Sequence, residues 1–238
     1  MAARSPCSTA RAISSPATRH RRSRGSMPKL EDAAEPLLAA DVEVVEAVQP
    51  IRDNPVFERL ADLGDEPQLR ILCAATMALG AFQQDRRLVL AGARMLAAHT
   101  LATFAKDFVK HRIDRTRPRS LGRAETDHRL APGRSRAKEE SSFPSGHAAG
   151  AAAVARAFAR AFPEAAAPAY AAGGVLAAAQ IPRCAHYPTD VGAGLAIGIA
   201  AEAALDAGLA LAAKALRPSS PEVPPLAFPI VLPLPPGT

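Results

Sequence analysis

The stretch Ser141–Gly150, "SSFPSGHAAG", sets a helix start directly ahead of a long alanine-rich run. Pro144 suits the entry to a helix, Ser145 is a strong N-cap residue, and Gly146 lets another group approach the backbone closely. The free N–H groups at such a helix start bind anions. The stretch is therefore either an ordinary capped helix that happens to contain His147, or one part of an anion-binding site.

The composition favours helices over sheets throughout the chain. Its 238 residues suffice for one domain with a sizeable core, and no segment is duplicated. Hydrophobic residues make up 48%, much of it alanine, and aromatic residues only 4%, which favours closely packed helices. Three cysteines, Cys7, Cys73 and Cys184, fit neither a zinc pattern nor a disulfide framework. We predict an all-α, antiparallel helical bundle.

Five apolar segments form the predicted bundle, at about residues 68–84, 88–109, 145–162, 167–181 and 190–214. Several approach the roughly 20 residues that cross a bilayer. Charged residues interrupt them, including Arg94 and Glu202, and no aromatic belt marks their ends. We favour a multi-pass protein of the cell membrane with these charges facing inward or snorkelling. A soluble helical bundle is the alternative.

Both ends of the chain differ in composition from the bundle. Residues 1–37 begin with an acid-free stretch rich in Arg and Ser, and we predict a disordered basic arm. One alternative is a transit-like arm. Another is an upstream extension from a misassigned start at Met1, since Met27 follows. We predict an amphipathic helical segment at residues 38–65 and the bundle domain at residues 66–216. We predict a proline-rich, disordered tail at residues 217–238.

The basic charge is concentrated rather than spread. The formal charge is +6 and the pI about 9.7, with much of the basic charge in the first 29 residues and in residues 106–138. Aromatic residues for stacking on bases are nearly absent there, so we expect no nucleic-acid partner. A phosphate-bearing small substrate and an anionic membrane surface fit equally well. The polar loop at 110–144 is long enough to be functional or partly disordered.

Two further stretches carry candidate functional residues. In "KHRIDRTRPRS", residues 110–120, Lys110 and Arg117 are seven apart, or two helical turns, which predicts that both project from one helix face. A snorkelling membrane interface would produce the same pattern.

The second stretch is "IPRCAHYPTDVGAG", residues 181–194, with Arg183, His186 and Asp190. The histidine and the aspartate are four apart at a helix entry. There the carboxylate can accept the ring N–H and leave the other nitrogen as a nucleophile. A capping or packing pair is the alternative.

An antiparallel bundle brings the three stretches to one end. The second apolar segment ends near residues 110–118, the third begins at 144–147, and the fourth and fifth meet at 183–190. This connectivity gathers cations, a helix N-terminus and two histidines. Such a group can support in-line phosphoryl transfer through a phosphohistidine, without a metal or a cofactor.

The motifs occur in the order Lys110-x6-Arg117-Pro118, Pro144-Ser145-Gly146-His147 and His186-x3-Asp190. This order resembles the three-part signature of the type-2 phosphatidic acid phosphatase family, whose superfamily includes vanadium haloperoxidases. The resemblance spans about residues 66–212. Gln180 stands where the family has an arginine, and we predict that Arg183, one turn closer to the histidine, replaces it. Membrane members commonly have six spanning helices, whereas five apolar segments are found here.

The resemblance implies that His186 attacks phosphorus, Asp190 orients it, and His147 protonates the leaving oxygen. It further implies a set of phosphate-holding groups: Lys110, Arg117, Ser145, Gly146 and Arg183. The predicted function is a metal-independent phosphatase that acts at a membrane on a lipid phosphate or an isoprenoid diphosphate.

Two other functions compete with this prediction. A haloperoxidase-like protein would hold vanadate in the same pocket, but the apolar helices and the short chain argue against it. A non-catalytic helical membrane protein is favoured by Gln180 alone, and the presence of both His147 and His186 argues against it. By the positive-inside tendency, the basic loop would place the site on the cytoplasmic face of the membrane. Cations retained for catalysis distort a count of basic residues, so the sequence does not decide between the two faces. The oligomeric state is also left open.

Overall fold

Helices dominate the part of the chain that the computed structural model describes, which is residues 30–52, 54–120, 130–135 and 137–216. Seven α-helices lie in these ranges: α1 Leu30–Val48, α2 Pro55–Leu63, α3 Glu66–Gln83, α4 Arg86–Lys110, α5 Gly146–Ala161, α6 Ala166–Ala178 and α7 Pro188–Ala215. Two short strands, β1 Ile113–Arg115 and β2 Leu130–Pro132, form an antiparallel pair between α4 and α5. The predicted tail from residue 217 lies outside the described residues.

Helix α5 is the centre of the bundle and packs against α4, α6 and α7, while α3 packs along α4. Most of its buried residues are alanines, which let the neighbouring helices approach closely. Two glycines of α7 make the closest approach. A Cβ atom added at Gly194 would lie 2.4 Å from the Ser145 carbonyl oxygen, and one at Gly198 would lie 2.3 Å from that of Ala149. The backbones of α5 and α7 are therefore in direct contact.

The all-α, antiparallel bundle predicted from the sequence is confirmed, with the small β1–β2 pair as an addition. The five apolar segments correspond to helices α3 to α7. Helix α6 ends at Ala178, earlier than its apolar pattern, because Pro182 cannot continue a helix and the chain turns before α7. The long loop at 110–144 contains the strand pair, and residues 121–129 and 136 lie outside the described residues.

The boundary predicted at residue 37 is wrong for the last part of the basic arm. Helix α1 begins at Leu30, so residues 30–37 are helical rather than disordered, while residues 1–29 lie outside the described ranges. The amphipathic pattern continues upstream of residue 38, and Pro36 in the second turn does not end the helix. Within residues 38–65 the described helices are the remainder of α1, which ends at Val48, and α2.

The outer surface of the bundle is strongly apolar. Within the described ranges, α4, with 25 residues, and α7, with 28 residues, are long and apolar enough to cross a bilayer. Large side chains point outward from three helices, with Phe82 88%, Phe104 69% and Leu211 68% exposed. Exposed apolar surface of this extent marks a membrane or a partner interface in other proteins.

The charges inside the apolar helices pair with one another within the bundle. Glu202 of α7 is fully buried and accepts hydrogen bonds from Arg94 Nε at 3.0 Å and Arg156 Nε at 2.7 Å. Asp206, one turn further on, accepts from Arg94 at 2.6 Å and also from Arg160. This pairing gives the inward-facing arrangement that an apolar surrounding requires.

Candidate active site

One cavity of about 260 Å³ opens at the end of the bundle where α4 ends and α5 begins. It is lined by five residues that the sequence predicted for the site: Lys110, Arg117, Gly146, His147 and His186. The structure thus brings together residues from all three motifs.

The two cations reach this cavity by a route that the sequence reasoning did not predict. Helix α4 ends at Lys110, and Arg117 lies beyond β1, so the pair does not share a helix face. Arg117 is positioned instead by its backbone, whose N–H donates to the Glu139 carbonyl at 2.8 Å, and by its guanidinium, which donates to the Ser141 carbonyl at 3.2 Å. The extended chain after α4 therefore turns back toward the helix end.

Arg117 lies in a crowded positive environment. Its pKa is lowered to about 10, first by burial and then by the neighbouring cations Arg119 and Arg183, while carboxylates nearby oppose the shift. At neutral pH the guanidinium remains charged. An anion entering the cavity would relieve the repulsion among these cations.

The start of α5 has the geometry that its sequence predicts. Ser145 is the N-cap, and its side chain accepts a hydrogen bond from the Ala148 N–H at 3.4 Å. A Cβ atom added at Gly146 would lie 3.3 Å from Cδ of Lys106, so the glycine leaves room for that side chain. Lys106 also lines the cavity, and the sequence reasoning missed it. Its spacing, one helical turn before Lys110, was the signal that could have found it.

His186 is almost fully buried and held through one ring nitrogen. Its Nδ1 donates to the Ser142 carbonyl oxygen at 2.8 Å, whereas Asp190 Oδ2 lies 3.7 Å from the same atom. The predicted direct histidine–carboxylate hydrogen bond is therefore replaced by a backbone carbonyl, because the turn before α5 reaches the ring first. Burial lowers the pKa of His186 to about 4, against the opposing effect of Asp190. The neutral ring keeps Nε2 as the nitrogen with a lone pair.

Asp190 is the centre of a buried network. It accepts hydrogen bonds from Arg115 at 2.5 Å, from Ser142 Oγ at 2.5 Å and from the Tyr187 N–H at 2.9 Å. Arg115 also donates to Asp41 of α1 at 2.6 Å, and all three charged groups are almost completely buried. The same Ser142 whose carbonyl holds His186 thus donates to Asp190. The carboxylate positions the histidine through this shared serine.

His147 faces His186 across the cavity. Their ring centroids are 6.0 Å apart and the ring planes are inclined by 62°. Nε2 of His147 contacts the carboxylate of Asp65, a residue of the α2–α3 junction that also lines the cavity. The two imidazoles therefore stand edge to face, and both line the cavity.

Two residues predicted to hold phosphate are not among the described residues that line the cavity. The Ser145 side chain is fully buried in its capping role. Arg183 pairs with Asp62 of α2, at 3.1 Å between Nη1 and Oδ1. Gln180, at the position of the family's arginine, is buried and donates to the Ala61 carbonyl at 3.3 Å. The side chains of Gln180 and Arg183 therefore both contact α2 in this structure.

The described residues hold no cluster of three or more histidine, cysteine, aspartate or glutamate side chains arranged to bind a metal ion. The groups that line the cavity include three cations, imidazoles and a helix start, together with the carboxylates of Asp65 and Glu66. The cations and the helix start have the chemistry of an anion site.

Comparison with known proteins agrees with the motifs. The model of the PAP2 superfamily matches residues 91–206. This match spans all three motifs and confirms the predicted resemblance to the type-2 phosphatidic acid phosphatase family. The helical bundle is similar in fold to a solved PAP2-type structure.

Two solved structures align with much of this chain. One is described as the first transmembrane PAP2 type phosphatidylglycerolphosphate phosphatase from Bacillus subtilis, with 20% identity, a TM-score of 0.53, and coverage of 79% of this chain and 94% of that one. The other is Aquifex aeolicus LpxE, with 20% identity, a TM-score of 0.45, and coverage of 68% and 92%. A search of curated protein sequences found no match.

Proposed function

We propose that the protein is a metal-independent phosphatase that hydrolyses a lipid phosphate or an isoprenoid diphosphate through a phosphohistidine intermediate. The observation that carries the proposal is the opposed pair His147 and His186, 6.0 Å apart across a cavity lined by Lys106, Lys110 and Arg117. A phosphoryl group in this cavity, beside both rings, would meet His186 as the nucleophile and His147 as the proton donor.

In the first step, Nε2 of His186 attacks phosphorus. A nitrogen–phosphorus bond forms, the bond from phosphorus to the leaving oxygen breaks, and protonated His147 gives its proton to that oxygen. The low pKa of His186, about 4, supports this role because the ring is neutral at physiological pH. Its Nδ1–H is held by Ser142, which fixes the direction of attack.

In the second step, a water molecule attacks the phosphorus of the phosphohistidine. The water gives a proton to His147, the nitrogen–phosphorus bond breaks, and inorganic phosphate leaves, which restores both histidines. Lys110, Arg117 and the N–H of Gly146 stabilise the charge on the phosphoryl oxygens in both steps. We extend the predicted phosphate-holding set to Lys106, and we expect Arg183 to join it when its contact with Asp62 opens.

A membrane-bound, hydrocarbon-bearing substrate fits the surface of the bundle. Helices α4 and α7 are long enough to span a bilayer, and large apolar side chains such as Phe104 and Leu211 point outward. The inward pairing of Glu202 with its arginines also suits an apolar surrounding. We therefore propose a multi-pass protein of the cell membrane whose phosphatase domain is residues 66–216.

The test is a substrate panel with the purified protein in detergent and in excess EDTA. The panel contains phosphatidic acid, phosphatidylglycerol phosphate, undecaprenyl diphosphate and 4-nitrophenyl phosphate, with His186→Ala as the inactive control. We expect phosphate release that survives EDTA and is competitively inhibited by vanadate. Loss of activity in EDTA that a divalent ion restores would refute the mechanism. A protein that releases phosphate from none of the four, with the fold intact, would refute the proposed function.

A further inference from the structure

Asp65 departs from the usual behaviour of its position. It is the N-cap residue of α3, and aspartate is among the best capping residues, yet its side chain makes no capping hydrogen bond. Asp85, the N-cap of the next helix, does accept from the Leu88 N–H at 3.2 Å. The Asp65 carboxylate instead turns toward the cavity and contacts Nε2 of His147. Its position is therefore determined by the histidine rather than by the helix that it begins.

The contact uses one ring nitrogen and leaves the other available. Within the described part of the chain, Nε2 of His147 contacts Asp65 and Nδ1 makes no hydrogen bond. The neighbouring Gly64 packs near the ring, since a Cβ atom added there would lie 3.8 Å from Cδ2 of His147. The α2–α3 junction thus fixes the ring from one side.

Electrostatics gives this carboxylate a second role. The other charged or titratable groups around His147 are Glu66, His99, Lys106, Lys110, Arg117, Arg183 and His186. Burial of the ring and the cations around it both disfavour a positive charge on the imidazole, and burial is the larger effect. Asp65 is the carboxylate in direct contact with the ring, so it offsets this repulsion where a proton must be held.

We propose that Asp65 is a positioning residue for the proton donor, an inference that rests on the proposed function. Its carboxylate accepts the Nε2–H of His147, which directs Nδ1–H to the leaving oxygen and keeps the ring protonated until the bond to phosphorus breaks. This is the carboxylate–histidine arrangement that elsewhere sets tautomer and orientation. The network of Asp190 serves the nucleophile, and Asp65 serves the acid.

The experiment compares Asp65→Asn with the wild type on two substrates. For a lipid phosphate, whose leaving alkoxide needs a proton, we expect kcat to fall about 10- to 100-fold, and the alkaline limb of its pH profile to move to lower pH. For 4-nitrophenyl phosphate, whose leaving group is a weak base, we expect a change of less than about threefold. Asp65→Glu should recover part of the lost activity, since it restores the carboxylate.

Asp85→Ala is the matched control, because it removes a real helix cap on a residue that lies outside the cavity. It should lower the thermal stability without changing the ratio of activities on the two substrates. Asp65→Asn should change the ratio of activities on the two substrates without lowering the thermal stability, since no capping bond is lost. Equal loss on both substrates, or an alkaline limb that does not move, would overturn the proposal.

A readout without turnover separates this inference from the proposed function. In protein labelled with ¹⁵N-histidine, we expect Nε2 of His147 to carry the proton in the neutral wild-type ring, and the Asp65→Asn variant to lose that preference. A wild-type ring without this preference would refute the role of Asp65 even in an active enzyme. A protein with the preference that hydrolyses none of the four substrates would refute the proposed function alone.

Discussion

Adding a single methyl group between α5 and α7 should disable the site from a distance. Gly198→Ala places a carbon 2.3 Å from the Ala149 carbonyl oxygen, and Gly194→Ala places one 2.4 Å from that of Ser145. Both oxygens belong to backbone, which cannot rotate away. Gly192 and Gly208 of the same helix have no atom within 4 Å of an added Cβ, so they are matched controls.

The magnitude follows from the separation. A contact of 2.3 Å must open by about 1 Å before it reaches the range of ordinary Cβ contacts, which begins at 3.4 Å. Overpacking of this kind costs about 1–3 kcal/mol of stability. Helix α5 carries His147 and the turn before α7 carries His186, so the shift also separates the two rings. A displacement of about 1 Å in a reacting group costs roughly 10²-fold in rate.

The assay combines turnover with thermal unfolding followed by a thiol-reactive dye. Cys73 and Cys184 are fully buried, so they report unfolding, and Cys7 is replaced by serine in all variants. We expect Gly198→Ala to unfold at a lower temperature and to lose most of its activity. Gly208→Ala should be at least as stable as the parent, since alanine favours a helix by roughly 0.5–1 kcal/mol over glycine. Wild-type stability and activity in Gly198→Ala would refute the close contact.

Three further predictions concern the cavity. The pKa of His186 near 4 means that kcat/KM should fall on the acid side only as the pH approaches about 4, where the ring gains a proton; a fall centred near 6.5 in the pH profile would contradict it. His147→Ala should slow hydrolysis of a lipid phosphate far more than that of 4-nitrophenyl phosphate, and equal losses in kcat would argue against an acid role. Arg183→Ala should reduce turnover on the order of 10²-fold. Unchanged kinetics would mean that Arg183 serves only its pair with Asp62.

The sequence predicts the local parts of the site well. The proline, serine and glycine ahead of His147 place it at a helix start, because capping is decided by residues next to one another in the chain. The apolar segments predict the bundle and bring the three motifs to one end. Lys110 and Arg117 both line the cavity. They do not share the helix face that their spacing of seven residues predicts, because α4 ends at Lys110.

The long-range partners could not be predicted in this way. Asp65 is separated from His147 by 82 residues and Asp41 from Arg115 by 74. No local spacing rule links such pairs, and the acidic N-terminal segment reads simply as amphipathic. These contacts depend on how α1 and α2 fold over the end of the bundle.

The buried link from Asp41 through Arg115 to Asp190 also has a consequence for biosynthesis. The ribosome makes Asp41 first, Arg115 some 74 residues later, and α7 with Asp190 last. Until α7 is in place, Arg115 has only one of its two carboxylate partners, and a buried charge without its partners is costly. We therefore expect α1 to pack against the cavity end of the bundle only after α7 has been synthesised. An incomplete chain would lack both the support of His186, the proposed nucleophile, and the anchor of its own first helix.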